Sequence, residues 1–178
     1  TNSTITAKVL DLSGSRAYDG SSDAAAADLS LAGLVAGETL QLSGSGSLAS
    51  ADVQWSGTPG SSSVTAQTLA GLGSLSLADG SGRADNYTLT GGSHTLTINP
   101  AVLSLSGSRA YDGGTSVASG ALNLTGLVGS ETLNLSGTGS IADRNAGVGK
   151  ALDTAGLSLS DGTGDAANYT MSGGSHTI

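Results

Sequence analysis

A chain of 178 residues with no Cys, no Phe, one Trp, four Tyr and two His carries few groups for chemistry: no thiol nucleophile, no disulfide, no thiolate zinc site and no multi-histidine metal centre. Six Lys and Arg against 14 Asp and Glu give a formal net charge of -8, which excludes nucleic acid and anionic membrane surfaces as partners, since both require a cationic face. No run of about 18 apolar residues occurs and no basic segment leads into an apolar one, so the sequence predicts no direct membrane insertion and no signal peptide within these residues.

The 49 Ser and Thr and 29 Gly would suit a disordered segment, yet Leu, Ile and Val alternate strictly with small polar residues, the pattern of half-buried β-strands. In chain order, residues 1–7 read as the end strand of a preceding repeat, with Ile5 corresponding to Ile98. The first repeat spans 8–98 and alternates at Leu10/Leu12, Leu29/Leu31, Leu40/Leu42, Leu75/Leu77, Tyr87/Leu89 and Leu96/Ile98. Between Leu12 and Leu29, the alanine run from Ala24 to Ala27 is too short to stand as a helix. Asn99-Pro100-Ala101 reads as a short linker at 99–101. The second repeat spans 102–178 and stops short in its last strand.

The repetition is explicit. Leu12-Ser13-Gly14-Ser15-Arg16-Ala17-Tyr18-Asp19-Gly20 returns at Leu105-Ser106-Gly107-Ser108-Arg109-Ala110-Tyr111-Asp112-Gly113, an offset of 93. Gly33-Leu34-Val35 and Glu38-Thr39-Leu40 return at the same offset as Gly126-Leu127-Val128 and Glu131-Thr132-Leu133. Asn86-Tyr87-Thr88 and Gly91-Gly92-Ser93-His94 return at an offset of 82, as Asn168-Tyr169-Thr170 and Gly173-Gly174-Ser175-His176. The first copy therefore holds an insertion of 11 residues between 48 and 74. Six or seven short strands per copy, separated by Gly and Asp-Gly turns, predict an all-β fold: two tandem small antiparallel β-sandwich-like domains arranged end to end as an elongated rod.

These motifs, Arg-Ala-Tyr-Asp-Gly, Gly-Leu-Val followed by Glu-Thr-Leu, and Asp-Gly-Thr-Gly-Asp-Ala-Ala-Asn-Tyr-Thr with Gly-Gly before a closing strand, resemble the YDG-motif repeats. Those are relatives of the mostly-β glycine-rich repeats in filamentous-haemagglutinin-like adhesins of Gram-negative bacteria. The second copy is the better match, because Asp143-Arg144-Asn145-Ala146-Gly147-Val148-Gly149-Lys150 also fits; the first departs from it at Asp52-Val53-Gln54-Trp55. The resemblance implies a stalk or adhesive module of a large secreted surface protein, extracellular, acting in cell adhesion or biofilm, with neighbouring repeats of the same chain as partners.

Residue by residue, the expected roles are structural. In a chain without Phe, Tyr18, Tyr111, Tyr87 and Tyr169 are predicted to supply aromatic core volume with hydroxyls bonded to backbone, the alternative being a sugar-stacking role. Asp19-Gly20 and Asp112-Gly113 read as turns in which Gly takes positive φ and Asp bonds its own backbone. Asp79 to Asp85 and Asp161 to Asp165 superficially match calcium loops; with two carboxylates per loop, turn chemistry is the expected role and calcium the weaker alternative, so no cofactor is expected. His94 and His176, single in each copy, read as surface strand residues. No paired-carboxylate cleft suggests a glycosidase or any other enzyme. The one candidate ligand site is the insertion, where Asp52, Gln54 and the sole Trp, Trp55, are expected at a strand end followed by a long loop. That loop could receive a polysaccharide or host-cell glycoprotein, or Trp55 could simply cover the base of a small core.

Overall fold

Strict apolar alternation leaves each strand one face to bury, and the leucines that carry it form the interior. The computed structural model describes residues 4–178, which divide into a first unit ending at Asn99 and a second running from Pro100 to Ile178. Both are all-β, built from short strands in several small sheets, with only single 3-10 turns between them. The alanine run behaves as its length requires: Asp23–Ala25 is a strand and Ala26–Asp28 one 3-10 turn.

In the first unit, strand Asp11–Ala17 pairs antiparallel with Leu29–Ala32, placing Leu12 opposite Leu31 and Gly14 opposite Leu29. Strand Thr95–Asn99 then lies parallel along the far end of Asp11–Ala17, with Ile98 opposite Arg16, and its start pairs antiparallel with Gln67–Thr68. Leu40–Ser43 pairs with Ser76–Asp79, and Asp23–Ala25 with Ser45–Ser47. Leu10, Leu12, Leu96 and Ile98 are fully buried at its centre, each contributing about 1.5–3 kcal/mol by leaving water.

The second unit repeats the plan. Ser104–Gly107 pairs with Leu122–Thr125, and the nine-residue strand Leu133–Ile141 pairs antiparallel with Ser116–Ala118, Leu152–Asp153 and Leu157–Asp161. Its core is Leu105, Val117, Leu122, Ile141, Leu152 and Leu157, with Met171 and Ile178 packed against it.

Pairing is not wholly antiparallel, as the sequence pattern led us to expect. Lys8–Val9 runs parallel to Tyr87–Thr88, and Ala101–Val102 parallel to Tyr169–Thr170. The cause is topological: the closing segment of each unit returns beside its opening strand in the same direction, a crossover long enough to join parallel neighbours. Leu10 N–H donates to Thr88 O at 2.9 Å and Leu12 N–H to Ser93 O at 3.0 Å. The expected linker also contracts. Asn99 closes one strand and Ala101 opens the next, leaving Pro100, which has no N–H to donate, between them. Of the end strand expected at residues 1–7, residues 1–3 lie outside the described residues; residues 4–7 pair with no strand among the described residues, and Ile5 is wholly exposed.

Candidate functional site

The polar residues that recur in both copies come together in three small constellations. The first is built on the Tyr-Asp-Gly turn. Asp19 Oδ1 accepts from Ser21 N–H at 2.8 Å, and Arg16 clamps the same loop by donating to Asp19 Oδ1 and to the Ser21 carbonyl. In the second unit Asp112 Oδ1 accepts from Gly114 N–H at 2.8 Å, and Arg109 donates to Asp112 Oδ1 and, at 2.6 Å, to Gly114 O. The Gly114 amide and then the Arg109 guanidinium hold the Asp112 carboxyl below the usual carboxylate range. Gly20 and Gly113 both sit at φ 77, the left-handed conformation the turn demands. The Asp-Gly turn is thus as the sequence reads; the arginine three residues earlier is the part that turn chemistry alone did not reveal.

The second constellation joins the tyrosine of Asn-Tyr-Thr to the glutamate of Glu-Thr-Leu. Tyr87 and Tyr169 are buried. Tyr87 Oη donates to Glu38 Oε2 and accepts from Val35 N–H at 3.1 Å; Tyr169 Oη donates to Glu131 Oε2 at 2.5 Å and accepts from Val128 N–H at 3.0 Å. One phenol thereby fastens the Gly-Leu-Val loop to the core. Core packing with a backbone bond is the expected role; the glutamate partner, 49 residues away in the first unit and 38 in the second, leaves no local sequence signal.

Burial first, and then the bond to Glu131, disfavour the Tyr169 phenolate, so its ionisation is pushed up to about 12 from an ordinary 10.0. Tyr87 moves in the same direction, there chiefly through its bond to Glu38. A folded-state value above the unfolded one gives stability that is complete below pH 10 and lost as the pH climbs through about 12. We therefore expect the second unit to weaken across that window. A spectrophotometric titration should show a late phenolate phase that Tyr169→Phe diminishes; a titration unchanged by that substitution would contradict the assignment.

The third constellation corrects an expectation. His94 and His176 are not surface residues: His94 is buried and His176 half-buried, because each closes its Gly-Gly turn through Nε2, 2.7 Å from the carbonyls of Leu89 and Met171 respectively. A carbonyl can only accept, so Nε2 carries the hydrogen. Tyr111 corrects another. Tyr18 is buried and its N–H donates to Asn99 O at 2.8 Å, whereas Tyr111 is 67% exposed. In the first unit residues 97–99 pair alongside residues 15–17 and cover the turn, whereas among the described residues no strand pairs with 108–110.

The acidic loops cap backbone. Asp79 Oδ1 accepts from Ala84 N–H at 2.7 Å, Asp161 Oδ1 from Ala166 N–H at 2.9 Å, and Asp165 Oδ1 from Ala167 N–H at 2.8 Å. Among the described residues no group of three or more His, Asp or Glu is placed to hold a metal ion.

The insertion forms a hairpin. Gln54–Trp55 pairs with Val64–Thr65, Trp55 opposite Val64, and Ser62 N–H and Oγ both return to Thr58 O at the tip. The strand end and long loop are therefore as expected. Asp52, Gln54 and Trp55 do lie together, but Asp52 O already accepts from the Gln67 amide at 2.9 Å and the Gln54 amide at 3.5 Å, and Trp55 is half-buried. In the second unit the corresponding loop has no hairpin. Lys150 Nζ ties it by donating to Asp143 Oδ1 at 2.6 Å, Asp143 O at 2.9 Å and Asn145 O at 2.6 Å. That ammonium, followed by the Asn145 amide, lowers the Asp143 carboxyl.

No curated protein and no solved structure matches the chain. The family model of the YDG domain matches it twice, over residues 1–96 and 94–177, in agreement with the two units and with the Tyr-Asp-Gly turn, the Tyr-Glu clamp and the His-closed Gly-Gly turn found in both. The chain belongs to the YDG-domain family and carries two copies of that domain.

Proposed function

We propose that this pair of domains is an extracellular stalk or spacer module of a large secreted bacterial surface adhesin of the filamentous-haemagglutinin-like kind, related to mostly-β glycine-rich repeats. One observation carries the reading: the polar side chains common to both copies are taken up by their own unit's backbone and loops. Arginine pins a turn, tyrosine and glutamate hold a loop, histidine closes a turn, and aspartates cap 3-10 turns. Repeated investment in rigid small domains is what a spacer requires, and a net charge of -8 favours solubility of a long array.

A second reading, a module for polysaccharide or host-cell glycoprotein, is favoured by Trp55, half-buried on a hairpin found in one copy only. The two separate in a swap experiment on the parent protein at the cell surface. If the pair is a spacer, replacing it with two unrelated β-domains of equal length should restore adhesion lost on deletion. Adhesion that the swap fails to restore, and that Trp55→Ala also abolishes, would overturn the spacer reading in favour of binding.

A further inference from the structure

Asp-Gly steps occur at Asp19, Asp79, Asp112 and Asp161, and they are of two kinds. Such steps are prone to closure of the side chain on the backbone, because glycine has no Cβ to shield its nitrogen. In the acidic loops that nitrogen is engaged. Gly80 N–H donates to Gly82 O at 3.1 Å and Gly162 N–H to Gly164 O at 3.2 Å, and each glycine lies so near a neighbouring carbonyl that a Cβ would come within 2.4 Å of Thr39 O or 2.3 Å of Thr132 O. In the Tyr-Asp-Gly turns, among the described residues, no acceptor takes the N–H of Gly20 or Gly113, and Asp19, Gly20 and Asp112 are exposed. There the control sits on the carboxylate. Asp112 Oδ1 receives Gly114 N–H at 2.8 Å and the Arg109 guanidinium, which is itself fixed by a 2.6 Å bond to Gly114 O. Asp19 Oδ1 is held in the same way by Ser21 N–H and by Arg16, whose side chain is only 7% exposed.

We propose that Asp19-Gly20 and Asp112-Gly113 are latent sites of backbone isomerisation, and that Arg16 and Arg109 are the positioning residues that keep them closed. At Asp112 the Gly113 nitrogen attacks Cγ of the protonated carboxyl; the N–Cγ bond forms, the Cγ–OH bond breaks, and the hydroxyl leaves with the amide hydrogen as water. Water then opens the five-membered imide, and opening at the main-chain carbonyl leaves the chain joined through Cγ, as an isoaspartyl residue. Only the acid form can lose its hydroxyl in this way. The guanidinium and the amide bonded to one oxygen favour the anion, in keeping with an Asp112 carboxyl held below the usual range, and each pKa unit of lowering cuts the reactive fraction about tenfold. The same two bonds stop the carboxylate from turning onto the free glycine nitrogen. A tight turn needs only the Asp and the Gly; the arginine adds chemical protection. This inference depends on neither the spacer nor the binding reading, since it concerns the durability of the turn.

The test is ageing of the 178-residue chain in mildly acidic buffer at physiological temperature, followed by proteolysis and electron-transfer fragmentation, which separates aspartyl from isoaspartyl peptides. A free peptide carrying Arg-Ala-Tyr-Asp-Gly, aged alongside, gives the unprotected rate. In the native chain Asp19 and Asp112 should isomerise at least about tenfold more slowly than in that peptide. Arg109→Gln should raise isomerisation at Asp112 about tenfold or more while Asp19, Asp79 and Asp161 keep their native rates; Arg16→Gln should do the same at Asp19 alone. The other Asp-Gly steps report unfolding, because a unit that opens frees Asp161 with Asp112, or Asp79 with Asp19. Arg109→Lys, which keeps a cation beside Asp112, should restore part of the protection and serves where the glutamine chain unfolds. Native Asp19 and Asp112 isomerising as fast as the peptide would overturn the proposal whatever the variants do. So would a folded Arg109→Gln chain, its dichroism unchanged and Asp161 slow, in which Asp112 stays at its native rate.

Discussion

Tyr169→Ala should destabilise the second unit by about 3–5 kcal/mol, while Tyr111→Ala should change it by no more than about 0.5 kcal/mol. The two tyrosines belong to the same unit and differ in what they hold. Tyr169 is 5% exposed, packs in the interior and fastens the Gly-Leu-Val loop through Val128 N–H and Glu131. Truncation therefore opens a cavity and removes two hydrogen bonds at once. Tyr111 is 67% exposed, so its truncation takes little from the core. For a small domain with about 5–15 kcal/mol in total, the first loss brings the unit close to unfolding at room temperature. The sole Trp lies in the first unit, so its fluorescence follows that unit alone while far-ultraviolet circular dichroism follows both. Heating the Tyr169→Ala chain should show early loss of dichroism with an unmoved Trp55 transition. Equal melting of the Tyr111→Ala and Tyr169→Ala chains would refute the assignment of the Tyr-Glu clamp.

That contrast also marks how far the sequence could be read. The strands were legible because Leu10/Leu12, Leu40/Leu42 and Leu75/Leu77 alternate, and the two-unit division because Arg-Ala-Tyr-Asp-Gly occurs twice. Turn chemistry is local, so Asp19-Gly20 and Asp112-Gly113 could be assigned from two residues. Glu38 and Glu131 could not be paired with Tyr87 and Tyr169, because nothing in the intervening residues encodes the meeting of two loops. Equal motifs were also expected to have equal burial. Tyr18 and Tyr111 show why that inference fails: exposure depends on residues 97–99, which belong to the neighbouring strand and not to the motif. The histidines were misread for a related reason. Alternation places His94 on a strand, but it cannot show that the Gly91-Gly92 turn brings the Leu89 carbonyl within 2.7 Å of the ring. For Asp52, Gln54 and Trp55, the sequence located a hairpin and its loop, yet the Asp52 carbonyl that receives both Gln54 and Gln67 depends on strand Gln67–Thr68 and was not visible in the motif.

The Gly-Gly turn gives the other large effect, and here the cause is backbone contact. A Cβ at Gly92 would lie 2.1 Å from the Leu10 carbonyl oxygen and 2.8 Å from His94 Cε1, whereas a Cβ at Gly91 would meet nothing within 4 Å. Gly91 has φ 88, so Gly91→Ala bears the cost of a left-handed residue, about 1–2 kcal/mol. Gly92→Ala must instead push the turn off the Leu10 backbone, which leads into strand Asp11–Ala17. That movement pulls on Leu12 N–H to Ser93 O, on Gly92 N–H to Leu89 O and on the His94 bond to that same carbonyl. Backbone oxygen cannot swing aside as a side chain can, so overpacking at this site should reach about 3 kcal/mol or more. The substitution lies in the unit that holds Trp55, so its fluorescence transition reports the damage directly. Gly92→Ala should lower that midpoint well below the value for Gly91→Ala, and Gly174→Ala, whose Cβ would lie 2.0 Å from Leu103 O, should leave the Trp55 signal in place while lowering the dichroism of the second unit. If Gly91→Ala proved the more harmful, conformational strain would dominate the turn and the close approach to Leu10 would not be what fixes glycine at position 92.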